Sequence, residues 1–430
     1  MDKTLLKALL RTDWFVWIIF FCCPILAMPM VINGCYRRKR NAYVLFALFM
    51  GLCSMLLFLP TADAYRHAEL FYEMETWNWD ELLLYLSFNI KVDFILFLYE
   101  FGIIQLGLTY GFVRFGWVVI AYLIYFYIYD CMLDSPQIKC LNRWLVLWMV
   151  ILVVPIGGIS SGLRYGFAAT LISLVLCRRY LLNKTGLIDY IIIVVAIFVH
   201  FATIFVVPLL VANKLKIFPH TKKNFWIFFV VLFLISSSLP LILQLFPLGE
   251  INNYLLMYTE GKYSDTSYLS GNVFFWLPIW IGQVASLSLF VFFILYVPIN
   301  HQSSIMYNLF LLWAFTSNYS AINGRVQFFF YGVGVFYLLY NAKLKNIQIV
   351  FGVFLFSIIT GQVIGYRKHT VTRWPYLFAP YPVALQMDYD VNWIYNNVDP
   401  NTADLYLWQK RAQLQISVAY FCSIGLYFLV

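Results

Sequence analysis

Apolar segments of about twenty residues recur along the chain, the length a helix needs to cross the hydrocarbon core of a bilayer. Trp14–Ile32, Ala42–Pro60, Phe225–Phe246, Val273–Pro298 and Gln348–Ile364 are the clearest, and further segments fall at 94–112, 115–133, 145–160, 165–181, 187–212, 304–320, 325–341 and 414–430. A barrel strand would be about ten residues long and would alternate apolar with polar side chains; these segments do not alternate. Backbone in lipid must satisfy its own hydrogen bonds, which helices do within a single segment. The pattern predicts an all-α polytopic membrane protein with twelve or thirteen hydrophobic segments, some of them re-entrant, in a single integral-membrane domain over residues 1–430. Only 11% of the residues are charged and 63% are hydrophobic, against about 25% charged in a soluble domain. That excludes soluble, disordered, collagen-like and disulfide-rich classes. The eight cysteines form no CxxC pair and fall mostly within the segments, so they read as apolar filler.

Charge sets the orientation. The run Arg37-Arg38-Lys39-Arg40 lies between the first two segments, and basic loops stay cytoplasmic. Lys139 and Arg143, then Arg178, Arg179 and Lys184, then Lys214, Lys216, Lys222 and Lys223, and finally Lys343 and Lys345 mark further cytoplasmic connections. The net charge of +9 is explained by this anchoring and implies no nucleic acid. The acidic loop 61–92 is placed outside, with two further external loops at 247–272 and 367–413. Parity then constrains two segments. Segment 187–212 lies between basic loops on one side, so it rises, turns near His200 and returns, with Pro208 interrupting the return. Segment 94–112, carrying Glu100 and Gln105, is expected in-plane or re-entrant, a backbone tolerated at depth only inside protein or along a cavity. The amino terminus is placed outside, with Lys3, Lys7 and Arg11 on an interfacial amphipathic helix. No cleavable signal peptide is expected, because the apolar run is too long and no small-x-small site follows it.

No P-loop, GxGxxG, HExxH or GxSxG motif is present, and neither a cofactor nor a metal is expected. The informative residues are charged groups at the outer ends of helices, where ionisable side chains are costly and usually face a cavity. Arg164 and Arg325 each follow closely on a glycine and are expected to begin helices at the same outer level. Arginine binds phosphate oxygens as a fork, and a helix N-terminus adds its positive end; snorkelling to headgroups is the competing role. Asp63, Tyr65, Arg66 and His67 follow Pro60 at the outer end of the second segment, where Asp63 or His67 has acid–base chemistry available. His200 stands alone in an apolar run, either a neutral core histidine or a cavity group. Arg367, Lys368, His369 and Arg373 cluster at the outer end of the twelfth segment, to hold phosphate or to meet the lipid surface.

Three stretches carry a resemblance: Pro60-Thr-Ala-Asp63-Ala-Tyr65, Gly162-Leu-Arg164-Tyr-Gly-Phe-Ala168 and His200-Phe-Ala-Thr203. In order and context they resemble the EpsG-like family of Wzy-type O-antigen and exopolysaccharide repeat-unit polymerases. That family shows Asp with Tyr soon after, then Gly-x-Arg, then Ile-His-x-Ser. Tyr165 here stands where Gln is common, and Ala202 where Ser is common. The resemblance implies a metal-independent glycosyltransferase of GT-C-like helical architecture in the bacterial cytoplasmic (inner) membrane, with its active site facing the periplasm. Its partners would be an undecaprenyl-diphosphate-linked oligosaccharide donor, a lipid-linked acceptor repeat unit, membrane lipid and a chain-length regulator. Asp63, Arg164 and His200 carry over by motif. Tyr65, His67, Arg325, Arg367 and Arg373 are expected on the substrate, with Arg164 and Arg325 on the diphosphate and Asp63 or His200 as base. The competing classes are a lipid-linked oligosaccharide flippase, an O-antigen ligase and a membrane acyltransferase.

Overall fold

The computed structural model describes residues 13–61, 63–88, 93–134, 142–154, 156–161, 164–238, 287–341, 352, 373–401 and 404–405. The segments 348–364 and 414–430, the loop 247–272, Arg367 to His369 and the amino-terminal Lys3, Lys7 and Arg11 lie outside these residues. The described chain is helical. In order it forms α1 (Asp13–Cys22), α2 (Pro24–Tyr36), α3 (Arg40–Leu57), α4 (Asp63–Glu73), α5 (Trp79–Phe88), α6 (Phe94–Gln105), α7 (Tyr110–Leu133), α8 (Arg143–Val153), α9 (Ile156–Ser161) and α10 (Arg164–Leu176). A π-helical turn, Cys177–Leu181, extends α10. Then come α11 (Leu187–Val199), a 3-10 turn (Phe201–Phe205), α12 (Val206–Lys214), α13 (Lys222–Leu234), α14 (Leu287–Tyr296), α15 (Ser304–Phe315), α16 (Ser320–Phe329), α17 (Val335–Tyr340), α18 (Tyr381–Ala384) and α19 (Val391–Asn397). A two-residue antiparallel pairing, Val398 with Leu405 and Asp399 with Asp404, is the ladder formed among the described residues.

Among the described residues two helices, Arg40–Leu57 and Tyr110–Leu133, are long and apolar enough to cross a membrane, and α8 with α9 covers a third such stretch. At 1.5 Å per residue, α3 is about 27 Å long and α7 about 36 Å, against a hydrocarbon core of about 30 Å. The outer surface is apolar in the same way. On α13, Ile227 is 52%, Phe228 51% and Leu234 68% exposed, more grease on one helix than water tolerates. Aromatic rings fill the seam between α3 and α7, which run antiparallel: Tyr43 stacks on Phe126 at 4.7 Å and Phe46 meets Tyr122 at 5.6 Å.

The charged groups sort to the two ends of the bundle. At one end the turn after α2 places Arg38 in the left-handed region, φ 63°, where its guanidinium binds Asp130 at 2.7 Å and Asp134 at 2.6 Å near the close of α7. Arg143, opening α8, lies over the Tyr36 ring. Arg178 in the π turn reaches the hydroxyl of Tyr127 at 3.2 Å and Asp189 at 2.7 Å. Arg38, Arg143 and Arg178, from three of the basic connections, therefore form one collar. Both ends of segment 187–212 come to this collar. Asp189 is held there by Arg178 and Arg179, and Asn213 bonds Ser304, whose neighbour His301 lies beside Tyr180. The chain thus rises along α11, breaks at His200 and returns along α12. Pro208 does not interrupt the return. It is the third residue of α12, and a first-turn proline removes no intrahelical bond.

The opposite end corrects two expectations. The stretch 61–92 is not an open loop: α4 and α5 lie within it, and Tyr65, His67 and Phe71 are buried. Segment 94–112 is a short helix, about 18 Å, closed by a turn with Gly107 at φ 68°. Residues from Tyr110 onward belong to α7, so Arg114 is inside a helix and fully buried. Arg114 donates to the Phe58 carbonyl at 2.5 Å and pairs with Asp388 at 3.4 Å. Asp388 also accepts from the Thr109 hydroxyl at 2.8 Å and the Gly111 N–H at 2.6 Å. A carboxylate at the positive end of α7 is favourable, and this one fastens the segment 373–389 to the bundle. Replacing Asp388 with Ala should strand Arg114 without its counter-charge and cost about 3–5 kcal/mol, read as a lower melting temperature in detergent. Replacing Asp130 with Asn, in the partly exposed Arg38 pair, should cost at most about 1 kcal/mol.

Candidate functional site

At the end of the bundle opposite the basic collar, three broken or newly started elements bring polar groups together. Arg164 is the first residue of α10. His200 ends α11 in extended backbone, φ −152° and ψ 115°. Asp93 immediately precedes α6. Asp93 joins the other two: one oxygen accepts from the Phe201 N–H at 2.7 Å, the other from Arg164 at 3.2 Å and lies 3.9 Å from His200 Nδ1. Arg164 spends a single terminal nitrogen on Asp93, and among the described residues its Nε has no acceptor. A guanidinium carries five N–H donors, so most of this fork remains for a ligand.

Tyr165 completes the group. Its ring meets the His200 ring edge-on at 5.2 Å, its hydroxyl donates to the Arg325 carbonyl, and the Arg325 guanidinium lies over its face at 5.8 Å. Arg325 is the sixth residue of α16 rather than its first, so no helix N-terminus assists it. Charge from both Arg164 and Arg325 nonetheless acts on His200. The residue that departs from the family pattern, Tyr165, is thus the strut between the histidine and the second arginine.

The His200 imidazole has a readable tautomer. Its Nδ1 accepts the Ala202 N–H at 3.2 Å, so in the neutral ring the proton sits on Nε2. In that tautomer Nε2 carries a donor.

The remaining expected residues divide. His67 is buried on α4, with Nδ1 3.6 Å from Glu100 of α6. Tyr65 is buried on the same helix. Asp63 opens α4, half-buried, and acts on Tyr110 rather than contacting Arg164 or His200. Arg373 does not join the group: it donates to the carbonyls of Met387 and Asp388 and lies over Tyr389 at 4.2 Å. One terminal nitrogen of its guanidinium is spent on carbonyls of its own segment. Arg367 lies outside the described residues.

Sequence reasoning passed over Asp93 and Arg114. Asp93 reads as one more acid at the edge of an acidic loop; only the fold carries it to Arg164. Arg114 was detectable as an arginine among aromatics, but dividing the segments at 112 and 115 put it in a connection. The chain matches no family model, no curated protein and no solved structure, so the family resemblance rests on the motif residues.

Close helix contact positions Arg164. A Cβ on Gly166 would meet backbone atoms of Gly158 and Ile159 at 2.7–2.9 Å, whereas one on Gly324 would meet nothing within 4 Å. Gly166→Ala should push α10 off α9 and cost about 1–3 kcal/mol. Gly324→Ala should be neutral or stabilising by up to about 1 kcal/mol. Thermal unfolding of the two variants side by side checks the contrast.

Proposed function

We propose that the protein is a polysaccharide polymerase, a membrane glycosyltransferase of GT-C-like architecture. It transfers a growing undecaprenyl-diphosphate-linked glycan onto a new lipid-linked repeat unit. The observation that carries this reading is that two arginines from separate helices flank His200, Arg164 through Asp93 and Arg325 across the Tyr165 ring, at the end away from the basic collar. By the positive-inside rule the collar faces the cytosol, which puts the arginines at the periplasmic face of a bacterial inner membrane. A chain-length regulator would meet the protein on that face.

The chemistry follows from the leaving group. As the acceptor hydroxyl attacks the anomeric carbon, the bond to the diphosphate oxygen breaks and its electron pair leaves with the diphosphate. Negative charge grows there, and pre-positioned cations stabilise it most when they need not reorganise. Arg164 is pre-positioned by Asp93, and Arg325 by the Tyr165 strut. The Nε2–H of His200 is a further donor to the departing oxygen or the sugar. A single direct displacement inverts the anomeric centre.

Arg164→Ala should abolish polymer while the protein is still made and inserted, and Arg164→Lys should restore little of it, because the planar fork is lost. The deciding assay uses purified protein in detergent with lipid-linked repeat units, read by the lengthening of the glycan. A flippase would leave the glycans unchanged there, a ligase would act only when an outer-core lipid acceptor is added, and an acyltransferase would require an acyl donor.

A further inference from the structure

Among the described residues the buried acids have recognisable work, with one exception. Asp93, Asp189 and Asp388 each bind an arginine and also accept a backbone N–H, from Phe201, Gly186 and Gly111 respectively. Glu100 does neither. It is fully buried on α6, and among the described residues neither carboxylate oxygen has a hydrogen-bond partner. The group turned toward it is His67, whose Nδ1 lies 3.6 Å from Oε1. A buried carboxyl group that caps no helix and ties no backbone is a cost without a structural return, and such residues at membrane depth mark function.

The two histidines of the site are oriented oppositely. A backbone N–H meets Nδ1 of His200 and places its proton on Nε2. The Glu100 carboxyl group lies 3.6 Å from Nδ1 of His67; in its ionised form it favours the proton on Nδ1, which leaves the lone pair on Nε2. Apo contacts of this kind are often long and tighten with substrate bound. The pair belongs to the same neighbourhood as Arg164: Glu100 lies about two turns along α6 from Asp93, the acid at the head of that helix that binds Arg164.

We propose that His67 and Glu100 form the proton-accepting pair of the transfer reaction, a deepening that rests on the polymerase reading above. His67 Nε2 takes the proton of the acceptor hydroxyl as its oxygen bonds to the anomeric carbon and the diphosphate departs with the bonding electrons. Glu100 orients the ring and stabilises the imidazolium, which later returns the proton to water. His67 is the catalytic residue and Glu100 the positioning one. The charged and titratable groups around the pair are Arg164 at the head of α10, His200 at the end of α11, Tyr85 on α5, and Tyr110 at the head of α7 with Asp63 near it.

The test compares wild type, Glu100→Gln, His67→Gln and the double variant, all as full-length protein in detergent with lipid-linked repeat units. Asp130→Asn, at the basic collar, is the control that keeps full activity. His67→Gln should lower kcat by about 10²–10⁴-fold with the KM for the donor nearly unchanged. Glu100→Gln should lower kcat as well and shift the acid limb of the pH profile of kcat/KM. The double variant should be no slower than His67→Gln, because residues acting as one unit are not additive. Wild-type kcat and an unmoved pH profile in Glu100→Gln would overturn the proposal, as would losses that multiply in the double variant. Should Glu100→Gln fail to insert, the His67→Gln rate decides: full activity there overturns the pair. If wild type extends no glycan, the polymerase reading fails and the pair falls with it; if wild type extends and both variants match it, the pair alone fails.

Discussion

Inside a bilayer a charge persists only where the protein supplies its counter-charge and its hydrogen bonds, and three buried carboxylates meet that requirement in one manner. Asp93, Asp189 and Asp388 each grip a guanidinium and a backbone amide. Each therefore ties a side-chain charge to a particular helix end: the head of the 3-10 turn after His200, the head of α11 and the head of α7. Breaking such a unit strands a charge in low dielectric, which is far more costly than losing a surface ion pair. At the candidate site the Asp93 unit joins the head of α10 to the turn after His200.

The arrangement separates two uses of arginine. At the collar, arginines meet acids and aromatic rings at the ends of α7, α8 and α11, and their work is anchoring. At the other end Arg114 donates to the Phe58 carbonyl and pairs with Asp388, Arg373 donates to the carbonyls of Met387 and Asp388, and Arg164 bonds Asp93; there the arginines fix helix heads and the segment 373–389.

Much of the architecture was legible before any coordinates. The length and continuity of the apolar runs indicated helices, and the basic connections predicted which helix ends lie together. Parity alone required 187–212 to turn near His200, and the chain does reverse there. The misreadings share a cause. Arg114 was assigned to a connection and 61–92 to a loop because hydropathy averages over a window, and a lone charge or an amphipathic helix such as α4 falls below it. Pro208 was given a breaking role that holds only beyond the first turn of a helix.

By itself the sequence determined the membrane habit, the helical class and the sorting of charge between two ends, since these follow from local composition and from the cost of unpaired backbone in lipid. It also singled out Arg164 and His200. Only the tertiary structure decided that Asp93 holds Arg164, that Tyr165 bridges His200 to Arg325, that Arg373 is committed to its own segment and that Glu100 faces His67. Asp93 and Arg164 stand 71 positions apart in the chain, and Tyr165 and Arg325 stand 160 apart. Hydrogen-bond direction and the choice of imidazole tautomer depend on ångström-scale placement that no local pattern encodes.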